Sequence, residues 1–159
     1  MFHNVKTAVT EYQETLKVLK SKLQAEFLEK LKVDCAELKA QFPTLDFIFV
    51  LGETPEWNDG EECTHDSEVF ITHDDSRSWD TVGEYIERLY WRDEEECPAA
   101  YKTANSNLSN EDAQKVKDIL RAAKFEDGLE VVYETNFNIV IDFTGSNVEV
   151  TVQDYDCGH

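Results

Sequence analysis

Positive charge is scarce in this chain. Fifteen Lys and Arg stand against 34 Asp and Glu, a formal net charge of −19 over 159 residues. A surface of that sign repels nucleic-acid phosphates and anionic lipid headgroups, so direct binding of DNA, RNA or a membrane surface is disfavoured. Long apolar runs are missing as well. The strongest, Phe47 to Leu51, is far too short to span a bilayer. The sequence does not open on a charged segment followed by an apolar one, and its four separated cysteines form no disulfide framework at this length. Both points set the expectation of a reducing, cytoplasmic environment. The six glycines are scattered. They form neither a phosphate-cradling Gly-x-x-x-x-Gly-Lys loop nor a Gly-x-Ser-x-Gly nucleophile elbow.

What remains is enough for a globular fold. Hydrophobic residues make up 41% of the chain and charged residues 31%, which places it among ordinary folded proteins. Its length suits a single domain spanning 1–159 with a genuine core. Residues 5–42 read as one long helix: Tyr12, Leu16, Leu19, Leu23, Phe27, Leu31, Cys35, Leu38 and Phe42 recur at steps of three or four, and Pro43 ends the pattern. Such a helix outreaches a small domain, so its N-terminal part is expected to project or to pair with a second copy in a homodimer through residues 5–30. Cys35 lies on the apolar stripe and reads as core.

The body, 45–159, reads as α+β. Residues 45–51 and 68–72 form a hairpin of strands around a long acidic loop, and a helix covers 79–95. A further helix runs over 111–123, capped by Ser109 or Asn110. Residues 129–135, 137–143 and 148–153 read as three closing strands, the last two joined by a turn at Thr144-Gly145-Ser146-Asn147. The order is α-ββ-α-α-βββ. It predicts a roughly five-stranded antiparallel sheet with helices on one face and the other face wet.

Two short segments carry metal-ligand chemistry. Cys63-Thr64-His65 and Cys157-Gly158-His159 repeat one spacing. Thiolate and neutral imidazole are zinc's preferred ligands, and two of each close a tetrahedral structural site. Cys63, His65, Cys157 and His159 are therefore a candidate zinc site, provided the last strand lies near the 68–72 strand. Acidic neighbours Glu61, Glu62 and Asp66 argue against Cys63 as a nucleophile, because they raise a thiol's pKa. No catalytic residues are assigned. A hydrolytic divalent-metal site built on His73, Asp74 and Asp75 with Asp154 and Asp156 is the alternative.

The charge is uneven. Residues 53–96 hold sixteen acids against three Arg, −13 of the total, while residues 1–41 are nearly neutral. Aromatic residues interleave with this acidity. Such a field speeds encounter with basic protein surfaces, and aromatic anchors suit the buried centre of an interface. The expectation is a non-catalytic binding or inhibitor protein that occupies a basic surface of a protein partner. The groove of a nucleic-acid-binding enzyme is the obvious target class, by analogy of charge and size alone. Glu61, Glu62, Glu94, Glu95, Glu96, Trp57 and Trp91 are the expected contact residues. A zinc-stabilised structural or oligomerising subunit is the remaining reading.

Overall fold

In the computed structural model, residues 3–54, 65–72, 107–134 and 136–154 are described. The first element, α1 (His3–Gln41), is a single helix of 39 residues, about 58 Å long. Neither Gly nor Pro interrupts it, and its exposed faces carry Lys–Glu pairs such as Lys22–Glu26. At its end the Phe42 amide donates to the Leu38 carbonyl at 2.9 Å, and Pro43 cannot continue the ladder. The ammonium of Lys39, in the last turn, donates to the Gly145 carbonyl and ties this end to the hairpin turn at 144–147.

Among the described residues the sheet has four strands: β1 (Phe47–Glu53), β2 (Asp66–Thr72), β3 (Phe137–Asp142) and β4 (Glu149–Asp154). Their spatial order is β2-β1-β3-β4, antiparallel throughout. Strand β1 is central and buried from Phe47 to Gly52, as its unbroken apolar run requires. One face of the sheet presents Ile48, Val50, Ile71, Ile139 and Ile141 to Leu31, Cys35 and Leu38 of α1 and to the two other described helices. The opposite face is not wet, contrary to the alternation read in the sequence. Phe49 and Phe70 are cross-strand partners whose rings stack at 4.4 Å, and Val140 and Asn138 are buried on the same side.

Helix α2 (Asn110–Ala122) is capped by Ser109, whose hydroxyl accepts from the Asp112 amide at 3.1 Å. The chain then reverses at Lys124, which adopts a left-handed conformation (φ 50°), and begins α3 (Phe125–Tyr133). This helix replaces the strand predicted over 129–135, and it lowers the strand count from five to four. The periodicity explains why. Phe125, Leu129 and Val132 are buried at i, i+4 and i+7, while Val131 is 74% exposed. A strand would have put Leu129 and Val131 on the same face. Glu126 and Asp127 in the first turn also complement the helix dipole. The helix predicted over 79–95 and most of the acidic loop lie outside the described residues.

Candidate functional site

Of the sequence-nominated ligands only His65 is described; Cys63, Cys157 and His159 lie outside the described residues. The strand order also alters the premise for a shared site. β2 and β4 are opposite edges of the sheet, so the last strand does not lie beside 68–72. Three inter-strand spacings, about 14 Å, separate them. The register nevertheless brings the relevant ends level: Asp66 pairs with Glu53, Gly52 with Phe137, and Phe137 with Asp154. The start of β2 and the end of β4 thus share one end of the sheet. Among the described residues no group of three or more His, Cys, Asp and Glu is placed to hold a metal ion.

His65 occupies that sheet end. Its Nδ1 lies 3.3 Å from the Thr54 hydroxyl, and its Nε2 is buried without a hydrogen-bond partner. Its ring rests near Phe137 at 5.9 Å, Phe137 near Tyr133 at 6.2 Å, and Tyr133 edge-on to Phe27 at 6.1 Å. This aromatic chain links the residue that precedes β2 to β3, α3 and α1. Gly52 makes room for it: a Cβ there would stand 2.4 Å from the Phe137 ring, so no other residue fits without displacing the ring. Beside it runs a groove of about 540 Å³ between α1, α3 and the β3–β4 edge, lined by Lys20, Gln24, Tyr133, Asn136, Phe137 and Gln153 among others. The Tyr133 hydroxyl is buried without a partner, and burial holds its pKa above the usual phenol value. Lys20 pairs with Glu134 at 2.6 Å, and the Gln24 amide donates to the Val132 carbonyl at 3.3 Å. Sequence reasoning did not find this groove, because it is assembled from four separate elements, one of which was read as a strand.

The remaining described thiol is not reactive. Cys35 is buried, and that burial, with a smaller contribution from Asp34, pushes its pKa up to about 12. It belongs to the core, as its place on the stripe indicated. Glu61, Glu62, Glu94, Glu95, Glu96, Trp57 and Trp91 lie outside the described residues, as do His73, Asp74, Asp75 and Asp156.

Two described surfaces stand out instead. The outer face of α3 exposes Asp127 and Glu130 beside Val131, an acidic ridge with an apolar centre that the Lys20-paired Glu134 follows at the helix end. The N-terminal part of α1 exposes Val5, Val9, Tyr12, Leu16, Leu19 and Leu23, each 45–64% accessible. No described helix is long and apolar enough to cross a membrane. No family model matches the chain, and neither a curated protein nor a solved structure is significantly similar to it.

Proposed function

We propose that this protein is a non-catalytic acidic binding protein that occupies a basic surface of a protein partner, with the phosphate-binding groove of a nucleic-acid enzyme as the favoured target. The observation that carries this reading is the concentration of −13 charge units in residues 53–96 of a chain with net charge −19. The acidic ridge of α3, with Val131 exposed at its centre, supports it: carboxylates around an apolar contact match a basic rim around an apolar patch. The test is capture of partners at low salt, identified by mass spectrometry as salt rises, followed by rate measurements. Reversing charge at Glu94, Glu95 and Glu96, or at Glu61 and Glu62, should slow association steeply at low salt and change dissociation little. Trp57→Ala or Trp91→Ala should speed dissociation instead. Association indifferent to both salt and charge reversal would overturn the reading.

A structural zinc ion held by Cys63, His65, Cys157 and His159 is a second element of the proposal. It rests on the repeated Cys-x-His spacing and on His65 Nε2, buried without a partner at the sheet end that the start of β2 and the end of β4 share. Protein purified without chelator should carry close to one zinc per chain, and Cys157→Ser should lose it. Metal-free protein of unchanged stability would remove this element and leave the charge reading intact.

A further inference from the structure

We infer that residues 5–23 of α1 form an antiparallel helical pair with the same residues of a second copy of this chain. The exposed apolar positions Val5, Val9, Tyr12, Leu16, Leu19 and Leu23 advance by four, three, four, three and four residues. That is the heptad spacing of a two-helix seam, which needs a partner helix to bury it. Beyond Leu23 the steps to Phe27, Leu31 and Cys35 are all four, a longer period that turns the stripe toward the sheet. The residues with which α1 reaches α3, Lys20, Gln24 and Phe27, lie about 70° round the helix from the seam, so the body leaves the seam open.

The seam is also symmetric about residue 14. Laid antiparallel on a copy of itself, Val5 faces Leu23, Val9 faces Leu19 and Tyr12 faces Leu16, each twice, which completes every layer. Burial would be on the order of 1,000 Å² in total, the lower bound for a specific interface, so the affinity belongs in the micromolar range.

Charge selects the orientation. Residues 1–25 hold four Lys and two Glu, +2, which leaves −21 for the rest of the chain. A parallel pair would set two such bodies side by side. The antiparallel pair sets the first body contacts of the two copies, at Lys20, about 18 Å apart along the axis, and the buried Leu31 positions about 50 Å apart, beyond one and several Debye lengths respectively. One flank opposes this register, since Lys6 of each copy comes opposite Lys20 of the other. Glu134 partly neutralises Lys20 through their 2.6 Å ion pair.

The experiment is sedimentation equilibrium of the full chain from about 1 to 200 µM at low and moderate salt. A monomer–dimer equilibrium in the micromolar range that tightens with salt is expected, the opposite salt dependence to capture of a basic partner. Leu16→Glu should abolish the dimer and leave the circular dichroism of the folded body intact. Lys6→Glu should tighten the dimer by about fivefold, because it replaces the Lys6–Lys20 repulsion with attraction at both ends of that flank. A photoreactive benzoylphenylalanine placed at Val5 should crosslink between chains near Leu23. A monomer at every concentration, a dimer indifferent to Leu16→Glu, crosslinks between the two Val5 positions, or crosslinks within one chain would each overturn the inference.

Discussion

Leu16, Leu19 and Leu23 stand on the same unbroken helix as Leu31, Cys35 and Leu38, and both sets follow steps of three or four residues. Yet the first set is about half accessible and the second is 3–7% accessible. Helical periodicity states that a face is apolar; it does not state what covers it. The difference lies in a finer property, the spacing itself. The strict four-three alternation up to Leu23 keeps a seam in line for another helix, whereas successive fours after it rotate the stripe onto a twisted sheet. One helix thus carries two addresses, an intramolecular one and an intermolecular one.

The sharpest way to break this comparison is to truncate one leucine in each half. Leu38→Ala leaves a cavity among Cys35, Ile48 and the other core residues it joins and should cost about 2–5 kcal/mol at any protein concentration. Leu16→Ala removes no intramolecular cover. It should change stability by under about 1 kcal/mol in dilute solution and lower the unfolding midpoint only where the wild type is dimeric. Urea unfolding at about 2 and 200 µM separates the two. Equal, concentration-independent losses would mean that the two halves are buried alike.

The buried half also carries a thiol, Cys35, sealed in the core. Burial raises the Cys35 thiol from its ordinary value of 9.0 to about 12. The folded state therefore holds this proton more tightly than the unfolded chain, so the contribution is complete below pH 9 and is lost as pH rises toward 12. At a pH about 1.5 units above the unfolded pKa the loss is about 2 kcal/mol. Comparing unfolding free energies at pH 7 and pH 10.5 for the wild type and for Cys35→Ala isolates it from other alkaline titrations. The expected outcome is a shallower decline in the variant; parallel declines would mean that the thiol ionises freely.

Much of this architecture was legible because it rests on local chemistry. The long helix, the Ser109 cap, the first hairpin and the last one follow from periodicity, a cap residue and turn residues. What was not legible is relational. The sheet order puts β2 and β4 on opposite edges, and no local signal reports which strand docks on which. The groove beside Tyr133 and the orphaned Nε2 of His65 arise from elements distant in sequence. The strand expected over 129–135 is a helix because Phe125, Leu129 and Val132 hold a helical period, although Gly128 and two adjacent valines weaken any helical reading of the local sequence.

The same helix yields the smallest effect and a direct check on what covers α1. Gly128 lies within α3, has no left-handed backbone, and a Cβ added there would meet only Phe27 of α1, at 3.7 Å, an ordinary van der Waals distance. Gly128→Ala should therefore remove the unfolded-state entropy that glycine confers and add a methyl contact to the Phe27 ring. Stabilisation by about 0.5–1 kcal/mol is expected, independent of protein concentration because α3 lies on the intramolecular side of the comparison. The measurement is the shift in urea midpoint together with far-ultraviolet circular dichroism, which should show no loss of helix. In Leu16→Glu the gain should persist unchanged, since the seam and the α1–α3 contact use different faces of the helix. Destabilisation, or a gain that vanishes with the dimer, would mean that Phe27 and Gly128 do not meet within one chain.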